Sequence, residues 1–150
     1  MFLSRACKYG LQAVLHLAQH DPKLLLSKEI ARELHIPQHF LARILQDLTR
    51  RGLLLSFKGR GGGFKLAQPA DEIKLLEVVE AIEGGDFDKD CVLGLLECSE
   101  AAPCPIHFQW VAIKAEISRM LSEQSVKQLV EEAALNRPWL RVDRDREVSD

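Results

Sequence analysis

A glycine-rich, cationic segment between two short apolar runs restricts the fold more than any other feature of this chain. The runs are residues 53–57 and 64–67, and the segment between them reads Lys58-Gly59-Arg60-Gly61-Gly62-Gly63. Short apolar runs separated by glycine predict a β-hairpin. Glycine lets a backbone approach phosphate closely, and the Lys-Ser/Thr ending of a nucleotide-binding loop is absent. The pattern therefore predicts a hairpin with a flexible, positively charged tip.

Three amphipathic helices are predicted before the hairpin. Apolar spacing and turn signals place them over residues 4–20, 27–34 and 37–51. Ser4 and Ser27 are the expected N-caps, Pro37 the expected first residue of the third helix, and Gly52 its stop signal. A short helix, a tight turn and a longer helix have the spacing of a helix-turn-helix. Residues 1–68 are therefore predicted to form a winged helix-turn-helix that binds DNA.

The charge of the chain is unevenly distributed. Residues 1–68 contain 11 Lys and Arg against 4 Asp and Glu, a net charge of +7. Residues 69–150 contain 9 Lys and Arg against 18 Asp and Glu, a net charge of −9. Because a basic half attracts a polyanion and an acidic half repels it, nucleic acid is expected to meet the N-terminal half. Uneven solubilising charge is the alternative interpretation.

A long helix is predicted over residues 105–136, starting at Pro105. Its apolar residues at helical spacing are Ile106, Trp110, Ile113, Ile117 and Leu121. A stripe of this length predicts a dimerisation helix and a homodimer, with packing inside one subunit as the alternative. The charged tail, residues 137–150, is expected to be disordered. The predicted fold class is thus mainly α, a winged helix-turn-helix plus a long dimerisation helix.

Three cysteines lie in the connecting segment, residues 69–104, after a short helix that Gly84-Gly85 ends. Cys91, Cys98 and Cys104 are spaced C-x6-C-x5-C in a stretch with no helical or strand period. Soft thiolates suit iron-sulfur clusters or zinc. Gaps wider than C-x2-C favour a cluster over structural zinc, and zinc or redox-active thiols remain alternatives.

The fourth ligand is open between two residues. His107 lies one helical turn after Cys104 and can point at the same site, and imidazole is a known cluster ligand. An exposed helix residue is the alternative for His107. Cys7 could approach from the first helix, in the same subunit or the partner, but a small buried residue is the other interpretation.

A cytoplasmic protein without a membrane span is expected. The N-terminus lacks the long apolar stretch of a secretory signal, and no run of 18 apolar residues is present in the sequence. Because cytosolic thiols stay reduced, the cysteines are expected to bind metal or react rather than form a disulfide framework.

The chain resembles the IscR/NsrR/RirA family of regulators, the Rrf-two superfamily, over roughly residues 1–135. The residues that carry the resemblance are Leu3-Ser4-Arg5, Lys8-Tyr9-Gly10, Ile30-Ala31, Phe40-Leu41, Ile44-Leu45, Leu48, Gly52-Leu53, Gly59-x-Gly61-Gly62-Gly63-Phe64 and the three cysteines. The resemblance implies a homodimeric transcription regulator, a repressor, that binds partly palindromic double-stranded promoter DNA. It also implies sensing of iron, cluster supply, redox stress or nitric oxide through a 2Fe-2S or 4Fe-4S cluster.

The resemblance also implies roles for particular residues. Cys91, Cys98 and Cys104 would be cluster ligands, and His107 lies where the cluster-assembly regulators have a histidine ligand. The nitric-oxide sensors use an N-terminal aspartate, and the matching position here is Lys8, whose ammonium has no lone pair to donate. Candidate DNA-contacting residues on the second and third helices and the hairpin tip are Ser27, Lys28, Gln38, His39, Arg43, Arg50, Lys58, Gly59 and Arg60.

A glutamate that the cluster-assembly regulator uses to discriminate sites is replaced by Ala42, so its operator sequence is not carried over. An enzyme with a reactive cysteine is disfavoured, because no nucleophile, base and orienting residue form a recognisable set. A winged-helix interaction module with structural zinc is a further alternative. The mechanistic hypothesis is that cluster binding orders residues 86–107 against the long helix and changes the spacing or rigidity of two recognition helices.

Overall fold

A computed structural model describes residues 3–85 and 89–135 of the chain. The helices and strands are α1 (Arg5–His20), α2 (Ser27–Leu34), α3 (Gln38–Arg50), β1 (Leu54–Phe57), β2 (Gly63–Leu66), α4 (Leu75–Glu83), α5 (His107–Glu123) and α6 (Val126–Leu135), with a 3-10 turn at Ala70–Glu72. The predicted disordered tail, residues 137–150, lies outside the described residues, as do residues 86–88.

The three predicted N-terminal helices are present, with small corrections at two of their starts. Ser4 caps α1 as predicted, and its hydroxyl accepts a hydrogen bond from the Cys7 amide at 3.1 Å. The N-cap of α2 is Leu26 rather than Ser27, because the Glu29 carboxylate accepts from the Leu26 amide at 2.9 Å and Ser27 is already helical. Pro37 is the N-cap of α3 instead of its first helical residue.

The core of the N-terminal half joins α1, α2, α3 and the hairpin. Its large, fully buried side chains include Leu17, Ile30, Leu41, Leu45 and Leu54. Burying one such side chain contributes roughly 1.5–3 kcal/mol to folding. The buried stripe of α3 fixes its rotation, so the opposite face of this helix is presented to solvent.

The hairpin is the predicted wing. Its second strand, β2, also pairs through its backbone with the segment before α2. β1 and β2 are antiparallel, from Leu54 opposite Leu66 to Phe57 opposite Gly63. The Phe64 amide donates to the Leu25 carbonyl at 2.8 Å, and the Leu25 amide donates to the Phe64 carbonyl at 3.0 Å. The end of β2 nearest the wing tip is thus held beside the start of α2.

The C-terminal region corrects one prediction: residues 105–136 do not form a single helix. α5 begins at His107, two residues after Pro105. The helix is interrupted at residues 124–125, between α5 and α6. There the Leu75 amide donates to the Gln124 carbonyl at 3.0 Å, and the Val126 amide donates to the Ile73 carbonyl at 2.9 Å. These backbone groups pair with the segment before α4 rather than along a helix, so α6 turns back onto α1.

We predict that Gly63→Ala destabilises the wing. The φ of Gly63 is +143°, and a Cβ there would lie 2.7 Å from the Leu25 carbonyl oxygen. This oxygen accepts the hydrogen bond from the Phe64 amide. We expect a loss of about 3 kcal/mol in the free energy of unfolding, measured by chemical denaturation. Gly85→Ala is the control, since nothing lies within 4 Å of its Cβ position. Equal stability of the two variants would show that this pairing tolerates a side chain.

Candidate functional site

The three cysteines of the connecting segment come together. They lie in residues 89–106, called the cysteine loop here, which consists of turns between α4 and α5. The Sγ atoms of Cys91, Cys98 and Cys104 all lie within 4.8 Å of one another, and Cys91 and Cys104 are 3.8 Å apart. All three residues are half-buried. The loop therefore presents three sulfur atoms to one point in space.

His107 stands beside this group as the first residue of α5. Its Nδ1 lies 3.2 Å from the Cys98 Sγ. Its Nε2 is buried and has no hydrogen-bond partner among the residues that the structure describes. Leaving a buried polar nitrogen unpaired is costly. An unpaired nitrogen is expected here if its partner is a bound group.

The backbone around the cysteines changes the acidity of their thiols. A backbone hydrogen bond from Leu95, helped by one from Leu93, lowers the pKa of Cys91 to about 7, against the opposing effect of partial burial. The amide of Cys104 acts to lower the pKa of Cys98, but burial and the neighbouring Cys104 and Cys91 sulfurs outweigh it and raise that pKa. Thiolates and imidazole are the donors that iron-sulfur clusters and zinc take, so the residues present fit such a group.

Cys7, the alternative fourth ligand, is not brought to this site. It is 0% exposed and packs with Val79 and Leu121. Leu121 is 14 residues beyond His107 in α5, which corresponds to about 21 Å along a helix. Burial, followed by the charge and hydrogen bond of Glu83, raises the pKa of the Cys7 thiol to about 12. The structure thus places Cys7 in the apolar interior, as a small buried residue.

Two side chains that touch the cysteine loop escaped the sequence analysis. The Trp110 Nε1 donates to the Asp90 carbonyl at 2.9 Å, and the Lys114 Nζ lies 3.3 Å from the same oxygen. Trp110 was assigned to the apolar stripe of the long helix. Lys114 lies four residues after Trp110 and therefore on the same helix face. A lysine at this position indicates that the face also makes polar contacts.

The candidate DNA-contacting residues lie on one helix face, one helix end and the wing tip. Gln38, His39 and Arg43 are exposed in the first half of α3, opposite its buried stripe. Arg50 is exposed in the last turn of α3 and pairs with Asp47. Lys28 is exposed in the first turn of α2, beside half-buried Ser27.

The wing tip holds the remaining candidates, Lys58, Gly59 and Arg60, which are all exposed. Gly59 and Gly61 have φ values of +85° and +74°, which favour glycine because side chains clash there. The Gly62 amide donates to the Gly59 carbonyl at 3.1 Å and closes the turn. The tip therefore presents the side chains of Lys58 and Arg60 on a turn whose other residues are glycines.

Comparison with known proteins identifies the family. A family model described as an iron-dependent transcriptional regulator, Rrf2, matches residues 3–132. This chain belongs to the Rrf2 family. An HTH-type transcriptional regulator of Aquifex aeolicus is 33% identical to this Rrf2 protein over 132 residues, 87% of this chain and 92% of the relative. The regulator IscR of Cereibacter sphaeroides is 37% identical over 86 residues, 55% of this chain and 56% of the relative.

A solved structure shares the Rrf2 fold. CymR of Bacillus subtilis, described as the global cysteine regulator, superposes with a TM-score of 0.72 at 23% identity, covering 87% of this chain and 96% of CymR. The predicted winged-helix fold and family are confirmed. The Rrf2 family and these relatives are DNA-binding transcription regulators rather than enzymes. Among residues 3–85 and 89–135, each helix is too short or too polar to cross a bilayer.

We predict that the four thiols divide into one inert and three reactive groups. In reduced, metal-free protein at pH 8, iodoacetamide should alkylate the three loop cysteines, Cys91 fastest because its pKa is about 7 and Cys98 more slowly because its pKa is raised. Cys7 should stay unmodified, because it is buried and its pKa is about 12, and the thiolate is the nucleophile. Mass spectrometry of the digested protein measures each site, and unfolding in guanidinium should release Cys7. Rapid labelling of native Cys7 would contradict its placement.

Proposed function

We propose that this Rrf2 regulator is a homodimeric repressor whose binding to promoter DNA depends on an iron-sulfur cluster held by Cys91, Cys98, Cys104 and His107. The observation that carries the proposal is the convergence of three sulfur atoms within 4.8 Å beside an imidazole nitrogen 3.2 Å from one of them. The 37% identity to IscR and the family's description as iron-dependent support it.

A cluster bound there would supply a redox-active, iron-dependent centre that changes or is lost when iron, cluster supply, oxidants or nitric oxide change. The residues of the chain convert that change into a change of shape. Cys91, Cys98 and Cys104 hold the loop closed when all three are ligated, and His107 ties the loop to the first turn of α5.

A continuous set of contacts leads from α5 to the DNA-binding half. α5 packs on α4, and α4 packs on both α1 and α3. At the end of α4, the Glu83 carboxylate accepts a hydrogen bond from the Ser4 amide at 2.7 Å and another from the Ser4 hydroxyl. Release of the ligands would loosen residues 89–107 and change how α5 sits on α4. In a dimer this would alter the spacing of the two α3 helices.

Ile117 and Leu121 of the predicted stripe pack inside the subunit, so support for the homodimer comes from the apolar residues that α5 leaves exposed. Phe108 and Ile113 are 64% and 52% exposed, and Val111 and Met120 are also exposed. Exposed apolar side chains on a helix can be covered at a protein interface, and a symmetric pair of such helices gives a closed dimer. We therefore assign residues 1–68 to DNA binding, 69–104 to the sensing segment, and the helices after residue 105 to dimerisation.

The exposed residues of α3 and those of the wing are suited to different parts of the DNA. Gln38, His39 and Arg43 lie at the start of α3, where a recognition helix meets base edges in the major groove. Lys58 and Arg60 at the glycine-rich tip suit phosphates or a narrow minor groove. Ser27 and Lys28 lie at the start of α2, where backbone amides favour phosphate.

A second candidate is sensing by the thiols themselves. The Cys91 and Cys104 sulfurs are 3.8 Å apart, and the lowered pKa of Cys91 favours its thiolate. With hydrogen peroxide as oxidant, the two thiols would give a disulfide and two water molecules. CymR of Staphylococcus aureus, solved in an oxidized form and 26% identical to this chain with a TM-score of 0.71, supports this alternative.

Metal analysis distinguishes the two. Anaerobically purified protein should contain iron and acid-labile sulfide with visible absorption, and Cys91→Ala, Cys98→Ala and Cys104→Ala should lose both. Cys7→Ala is the matched control and should retain them, since Cys7 is buried away from the loop. Zinc alone would indicate a structural metal. Metal-free protein that forms a Cys91–Cys104 disulfide with peroxide would favour thiol sensing.

DNA-binding measurements should distinguish the role of the wing from that of the recognition helix. Lys58→Ala and Arg60→Ala should weaken binding to operator and random DNA alike, each lowering the salt slope by about 1. Gln38→Ala and Arg43→Ala should weaken operator binding by about 1–3 kcal/mol and change base preference. Lys127→Ala is the control, because Lys127 pairs with Glu131 on α6. Equal losses on both DNAs after the α3 changes would refute this division.

A further inference from the structure

We propose that Trp110 and Lys114 are positioning residues for the cysteine site. Both side chains hold the backbone carbonyl of Asp90, and through it they fix Cys91 relative to Cys104 and His107. This inference rests on the proposed function, since it assigns the two residues a role in holding the ligands of the same centre.

The geometry converges on one oxygen atom. The indole Nε1 of Trp110 donates to the Asp90 carbonyl at 2.9 Å, and the Lys114 ammonium lies 3.3 Å from it. A carbonyl oxygen has two lone pairs, so both of its acceptor positions are used. Asp90 directly precedes Cys91 in the chain. Fixing this carbonyl leaves the Cys91 backbone little freedom to move.

The burial of Lys114 supports this role. Lys114 is only 9% exposed, although it carries an ammonium group. Burying a charge is strongly unfavourable unless hydrogen bonds replace its water. A lysine at this position is explained if its ammonium is needed at the loop, where a charged donor makes a stronger hydrogen bond than a neutral one.

One helix then holds both ends of the site. His107, Trp110 and Lys114 are spaced i, i+3 and i+7 in α5, and therefore lie on one face. His107 fixes the end of the loop through the contact of its Nδ1 with Cys98, and its amide donates to the Cys104 carbonyl at 3.1 Å. Trp110 and Lys114 fix the beginning. Because α5 holds both ends of the loop, fewer conformations are open to the cysteines in the metal-free protein, which lowers the ordering cost of binding.

The test uses Trp110→Phe, which keeps an aromatic ring without the donor, and Lys114→Met, which keeps the chain length without the ammonium. In the full-length protein reconstituted with iron and sulfide, each variant should lose iron to a chelator on the order of 10-fold faster than the wild type. In metal-free protein, amide exchange of residues 89–92 should also be faster. Lys127→Met on α6 is the matched control and should change neither.

The outcomes separate the two proposals. Wild-type rates of both iron loss and amide exchange in Trp110→Phe and Lys114→Met would overturn the positioning role, as would faster exchange without faster iron loss. If the wild type holds neither iron nor sulfide, the proposed function fails, and amide exchange alone then decides whether the two residues hold Cys91. A thermal unfolding midpoint that stays near the wild-type value excludes general destabilisation as the cause.

Discussion

The closeness of three sulfur atoms is the constraint on which the shape of the cysteine loop, and the proposed response of the protein, depend. Thiolates within 4.8 Å of one another repel, so the arrangement is stable only if protons or a cation neutralise it. The cysteine loop has little core of its own, since Leu93, Leu95 and Leu96 are exposed. Its shape is therefore set by the contacts among the sulfurs and by its hydrogen bonds to α5, so the proposed cluster would change this segment when it is bound or lost.

That response has a short physical route to the DNA-binding half. The residues that hold the loop belong to α5, α5 packs on α4, and α4 packs on the helices that support the recognition surface. The wing is attached separately, through the Leu25–Phe64 pairing. A change at the cysteine loop is thus expected to move recognition helices relative to each other in a dimer, while the winged-helix unit itself stays intact.

Much of the fold could be predicted because local signals agree with tertiary packing. The glycines at positions 59 and 61 need positive φ, and the apolar stripe of α3 is buried as expected. The break at residues 124–125 could not be read from periodicity, because it depends on a backbone pairing with the segment before α4, distant in sequence. Spacing alone grouped the loop cysteines with His107, but the burial of Cys7 and the contacts of Lys114 required coordinates.

The most direct test of the central claim compares operator affinity at one fixed salt concentration for cluster-containing protein, metal-free protein and Cys98→Ala. A promoter fragment selected by the cluster-containing protein serves as probe, with random DNA as reference. The account predicts that metal-free protein and Cys98→Ala bind the fragment equally, and that both differ from the cluster-containing protein by roughly 5- to 150-fold, the usual range of coupling between two sites. Equal affinity of all three would contradict it.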